Sequence, residues 1–215
     1  MGLENHRFVH SALALLATTA LTAGCMSIKS AADPAYGKTK YEDIVKPAEP
    51  FKWKVSVQFQ RDGKPFQKAD STLQDSVERV LRASGVIVPT PDSTSGEIRV
   101  VLNNITDKPA AAAKGFGTGL TLGLVGSTVI DYYEMEVTMT ANEKTFHQSG
   151  IRHALHTAVG NASLPEGFEP LPPPTAFNRI VEQMLLNALK EFQQSGSFIS
   201  FRMPARKVAL HFPEG

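Results

Sequence analysis

The sequence predicts an α+β fold: a mostly antiparallel sheet with two helices packed on one face, in the order β-α-β-β-β-α. Three observations lead there. Phe51, Trp53, Val55, Val57 and Phe59 alternate with Lys52, Lys54, Ser56, Gln58 and Gln60, the period of two expected of a strand with one wet face. Residues 129–141 and 144–158 read as two further strands on either side of Asn142-Glu143, a hairpin pattern. Phe177, Ile180, Val181, Met184, Ala188, Leu189 and Phe192 fall on one stripe at helical spacing. Strands grouped between two helices, rather than alternating with them, favour α+β.

The remaining elements follow in order. Asp62-Gly63-Lys64-Pro65 breaks the first strand. Leu73, Val77, Val80 and Leu81 share a helical face, Ser71 and Gln74 have capping-box spacing, and Gly85 stands where a helix ends. Ile98, Val100 and Leu102 make a second strand. In the third, Tyr133, Met135, Val137 and Met139 oppose Glu134, Glu136, Thr138 and Thr140. Residues 161–174, rich in proline, read as an ordered or semi-rigid loop. Thr175 is placed to cap the long helix and Gly196 to close it. Phe198, Phe201, Val208, Leu210 and Phe212 suggest an added edge strand. Residues 26–50 hold Pro34, Gly37, Pro47 and Pro50 with little apolar periodicity, and read as a tether spanning roughly 25–30 Å. The organisation expected is a leader over 1–24, a tether over 25–50, and one domain over 51–215 with a Gly-rich apolar insertion at 110–130.

Charge is nearly balanced, 22 Lys+Arg against 21 Asp+Glu. The basic excess or stripe of a nucleic-acid binder is missing, so that class is set aside. A single cysteine excludes an intramolecular disulfide.

That cysteine carries the strongest functional signal. His6 and Arg7 precede an uncharged Ala- and Leu-rich run from Ser11 to Ala23, shorter than the ~20 residues a membrane-spanning helix needs and suited to a secretory signal. Leu21-Thr22-Ala23-Gly24-Cys25 then resembles the lipobox of bacterial lipoproteins, with Leu21 one place earlier than usual. The resemblance implies cleavage before Cys25, diacylglyceryl transfer to its thiol and acylation of its amino group. Two or more chains give stable anchoring, whereas one binds marginally. Met26 follows in place of the Asp that retains many such proteins at the inner membrane. By the same resemblance this implies the outer membrane, with the domain facing the periplasm.

The segment from Ala110 to Ile130 is unusual. Gly115, Gly119 and Gly123 recur every fourth residue, with Gly117 and Gly126 nearby, and no charge occurs between Gly115 and Ile130. On a helix this spacing lets another backbone approach closely. The segment resembles the glycine-zipper stretches of TraT-type outer-membrane lipoproteins. Three readings stand: a Gly-rich loop whose apolar residues fold back over the core, a membrane-touching or self-associating hairpin, and a phosphate-cradling loop. The last lacks the Lys-Ser/Thr pair of a P-loop. The candidate interaction residues are Gly115, Phe116, Gly119, Leu120, Gly123, Leu124 and Gly126.

Catalytic chemistry is weakly represented. His147, His153 and His156 gather in one strand, where alternation puts His147 and His153 on one face and His156 on the other. Six residues of strand separate the first two by roughly 20 Å, too far to share a metal. No nucleophile-elbow or zinc-helix motif occurs, and Glu134 and Glu136 read as a solvated face. The expectation is a non-enzymatic outer-membrane lipoprotein with no cofactor and no metal. It would act in envelope assembly or interaction, with the membrane, an envelope protein or its own copies as partners and no nucleic acid. The first alternative is a periplasmic carrier of a lipid or apolar ligand, and the second a hydrolase without a recognisable motif.

Overall fold

The structure is a computed structural model, which describes residues 28–91, 95–105 and 126–202. The alternating run becomes a strand over Phe51–Arg61 (β2), with Trp53 and Phe59 buried and the lysines outward. Five residues at the start of the described chain, Ile28–Ala32, form β1. The tight turn after β2 leads to Lys64–Pro65 (β3), and a helix follows over Asp70–Ser84 (α1). Short β4 (Ile87–Pro89) and longer β5 (Glu97–Ile105) come next. The hairpin comprises β6 (Ser127–Ala141) and β7 (Lys144–Val159), and the described residues close with helices Pro173–Gln194 (α2) and Ser197–Arg202 (α3).

The strands form one sheet in the order β1-β7-β6-β5-β2-β3, with β4 beside the start of β2. Pairing is antiparallel except where β2 meets β4 and β5. The fold is therefore α+β on a mostly antiparallel sheet, as the element pattern predicts. The helices cover one face. Leu73, Val77, Val80 and Leu81 of α1 and Ile180, Met184, Leu185, Leu189 and Phe192 of α2 are fully or almost fully buried there. They meet Ile98, Val100 and Leu102 of β5 and Met135, Val137 and Met139 of β6 in one core. The hairpin turns through Asn142 and Glu143, both at positive φ, the conformation of a two-residue turn whose twist suits the flanking strands.

Four local expectations are corrected. Part of the expected tether is folded: β1 pairs with β7 from Ile28↔Val159 to Ala32↔Leu155, and Ala31 and Ile44 are buried. Tyr41 of that stretch donates a hydrogen bond to Glu182 Oε2 at 3.1 Å. Burial, with the Glu182 charge, pushes the phenol up to about 12. The capping box does not form. A 3-10 turn over Gln67–Ala69 leads into α1, the Asp70 carboxylate accepts the Phe59 N–H at 2.7 Å, and Gln74 donates to Val55 O and Glu78. The long helix starts before Thr175, with Pro173 and Pro174 in its first turn, positions whose missing N–H groups would be unpaired anyway. Finally, Phe198 and Phe201 lie on α3 and not on an edge strand; Val208, Leu210 and Phe212 fall outside the described residues.

A β-bulge interrupts β7. Met135 pairs with Ile151 but Val137 with Gln148, so Ser149 and Gly150 stand opposite Glu136 alone. Gly150 takes φ +71, as a bulge glycine does. The extra residue reverses which side chains face the helices beyond it.

Candidate functional site

The bulge decides the histidines. His147 is exposed and contacts Thr138 Oγ1 at 3.0 Å, whereas His153 is buried on the helix side. The expectation that these two share a face is thus overturned by the extra residue between them. His153 Nε2 lies 2.6 Å from Gln183 Oε1 of α2, and its Nδ1 accepts the Ala154 N–H at 2.9 Å. A neutral ring protonated on Nε2 satisfies both contacts. Burial holds this histidine below its usual range, against the hydrogen bond to Gln183. The Tyr36 ring packs on it at 5.3 Å. His156 faces the other way, with Nε2 3.3 Å from Asp33 Oδ2 and its ring 4.6 Å from Phe168. Among the described residues no three His, Cys, Asp or Glu side chains are placed to hold a metal ion. Glu134 is outward and ion-paired with Arg152 at 3.5 Å.

Of the sequence-derived contact residues, Gly126 alone lies within the described residues. It enters β6 at φ +76, and a Cβ there would collide with the backbone of Asn161 and Ala162. Its role in the structure is a close approach between two chain segments. Cys25, Gly115, Phe116, Gly119, Leu120, Gly123 and Leu124 lie outside the described residues.

What sequence reading missed is an apolar groove of about 360 Å³ at the end of the sheet where β2 begins. Its walls are Val45 and Pro47 from the segment before β2, Phe51 at the start of β2, Val86 before β4, and Phe198 and Ile199 of α3. An aromatic cluster supports it: Phe51 lies 4.8 Å from Trp53 and 5.5 Å from Phe198, and Phe201 meets Trp53 and Phe146 edge-on at 5.0 Å each. Two brackets hold the walls apart. Gln193 donates to Val45 O at 2.6 Å and accepts from Val45 N at 3.1 Å. Asn142 and Lys144 of the hairpin donate to Phe201 O and Ser200 O at 2.6 and 2.7 Å. The rim residues Val45 and Ile199 remain 73% and 64% exposed, so water-facing apolar surface continues into a shaped hollow. Such a hollow is a binding feature more often than a packing defect.

No family model matches the chain, and no curated protein is similar to it. Among solved structures, similarity is found to a PelC dodecamer from Paraburkholderia phytofirmans, at 12% identity over 77% of this chain and 97% of that one, with a TM-score of 0.34. A Xanthomonas campestris protein of the DUF330 family is similar at 14% identity over 72% and 92%, with a TM-score of 0.35. At these scores the likeness carries no argument about function. Among the described residues no helix is long and apolar enough to cross a membrane.

Proposed function

We propose that the chain is a bacterial envelope lipoprotein, acylated at Cys25 and facing the periplasm from the outer membrane, which holds another envelope component non-enzymatically in its apolar groove. The observation that carries this reading is the placement of the groove relative to the start of the fold. β1 begins at Ile28, three residues after Cys25 in the sequence, and three residues of chain span at most about 11 Å. Ile28 pairs with Val159, which pairs with Ser127. Gly126 therefore enters the sheet two strand spacings away, about 10 Å. The groove is at the opposite end. β2 runs for 11 residues away from Phe51 toward the anchored end, roughly 33 Å of strand. An anchor at one end and an open apolar hollow at the other suit a protein that meets its partner away from its own bilayer.

A carrier of a lipid or apolar ligand is the second reading, favoured by the groove's volume, which falls in the range of small-molecule sites. The two separate in one experiment. A photo-crosslinking residue at Ile199 in living cells should yield a protein adduct for an assembly partner. Organic extraction of protein purified from membranes should yield bound lipid for a carrier. Anchoring is checked by palmitate labelling: incorporation that persists in Cys25→Ala would sink the lipoprotein reading. Self-association through the glycine segment is tested by native mass of Gly119→Leu beside the parent chain, with unchanged association removing its support.

A further inference from the structure

We infer that the groove binds a single-chain anionic amphiphile, its apolar chain between Phe51, Val86, Phe198 and Ile199 and its anionic head on Lys46. This deepens the second reading, the carrier, by naming the ligand class, and rests on the groove being its binding site.

The lining is predominantly apolar. Its one polar side chain, Gln193, has both amide atoms engaged by the backbone of Val45. A polar group placed inside would lose water without replacement, which costs free energy, so the part of the ligand within must be apolar. The rim is different. Lys46 lies between the lining residues Val45 and Pro47, and its aliphatic stem runs over Gly85, next to Val86. A Cβ on Gly85 would sit 3.2 Å from the stem's Cδ, so the glycine that closes α1 also makes room for the lysine. The stem covers apolar surface while the ammonium stays at the water's edge. Lys46 makes no ion pair among the described residues. Among the described residues Arg82 bonds Glu78 at 2.8 Å and Lys190 faces Asp43 at 3.9 Å, and Glu49 and Lys52 each have a partner of their own. An apolar slot beside a lysine that has no ion pair among the described residues matches an alkyl chain ending in a carboxylate or a phosphate.

The protein carries its own reporter. Trp53 is the sole tryptophan, it touches Phe51, and its ring stacks on Phe198 at 6.4 Å. The full lipidated chain in nanodiscs is titrated with a brominated fatty acid, with the brominated lysophosphatidylglycerol, and with the methyl ester of the acid, while Trp53 quenching is read. The expected result is saturable quenching by the acid or the lysolipid, weaker by tenfold or more for the ester. Ile199→Glu should abolish it. Lys46→Glu should weaken the anions at least tenfold and leave the ester unchanged, with circular dichroism confirming that both variants fold. Whichever anion binds more tightly identifies the head group. Absence of saturable quenching, or equal binding of ester and acid, overturns the inference. If Cys25 proved unacylated, the quenching would stand and the anchoring reading alone would fall.

Discussion

Gly126 and Gly63 share the same backbone conformation, φ +76, but not the same surroundings. A Cβ at Gly63 meets nothing within 4 Å, whereas at Gly126 it would run into the main chain of Asn161 and Ala162. Alanine at either position carries the left-handed penalty of about 1–2 kcal/mol, offset by about 0.4–1 kcal/mol from a less free unfolded chain. Gly63→Ala should therefore cost roughly 0.5–1 kcal/mol. Gly126→Ala adds an overlap with backbone, which cannot rotate aside as a flexible side chain would, and overpacking of this kind costs a further 1–3 kcal/mol or so. The difference between the two variants isolates that overlap. Urea unfolding followed by Trp53 emission gives both free energies by linear extrapolation. A gap under about 0.5 kcal/mol would refute the claim that Gly126 is fixed by close approach, and would return it to the pool of surface contact residues.

Ala31 has no exposure, so Ala31→Asp should destabilise the domain by several kcal/mol through a buried carboxylate; a tether would show no change in the urea midpoint. Burial lowers the His153 pKa, so the unfolded chain takes up a proton near ~6.5 that the folded one resists. Stability is then full above that pH and falls as pH drops through it toward the lower folded value. His153→Gln should flatten that slope in unfolding curves collected between pH 5 and 8, and an unaltered slope would count against the buried neutral ring. Asp70→Ala leaves the Phe59 N–H without its carboxylate partner and should cost about 1.5–2 kcal/mol, with Asp70→Asn recovering most of it by thermal melt.

The parts of the fold legible in sequence are those where one physical signal dominates. Strand β2 and the β6–β7 hairpin alternate large apolar with polar residues, and α2 carries a wide apolar stripe. Strand β1 leaves no pattern in the sequence because its buried residues are Ser30 and Ala31, too small to form an apolar alternation. What holds it is pairing to β7, the bridge from Ser30 to Leu171 and the 2.9 Å contact between Ser30 Oγ and Thr157 Oγ1. The short helix α3 is ambiguous in sequence because Phe198 and Phe201 precede further apolar residues that suggest a strand, although three apart is a helical spacing. The groove was invisible for a different reason. Its walls come from positions 45–51, 86 and 193–199, and no local window of sequence contains them together.

The bulge at Ser149-Gly150 acts as a phase shift within a single strand. Before it, Phe146 faces the core and meets α3; after it, Ile151, His153 and Leu155 take the core side that strict alternation would have given to residues 150, 152 and 154. One strand therefore serves two ends of the core that are out of step by one residue. Removing Gly150 would leave Ser149 alone opposite Glu136 and keep Ile151 opposite Met135, so His153 and Leu155 would stay on the core side of a strand without a bulge. Single-residue deletions elsewhere in β7 should be far less tolerated than one at this point, because only here does the bulge absorb the loss without moving the side chains beyond it to the wrong face of the sheet.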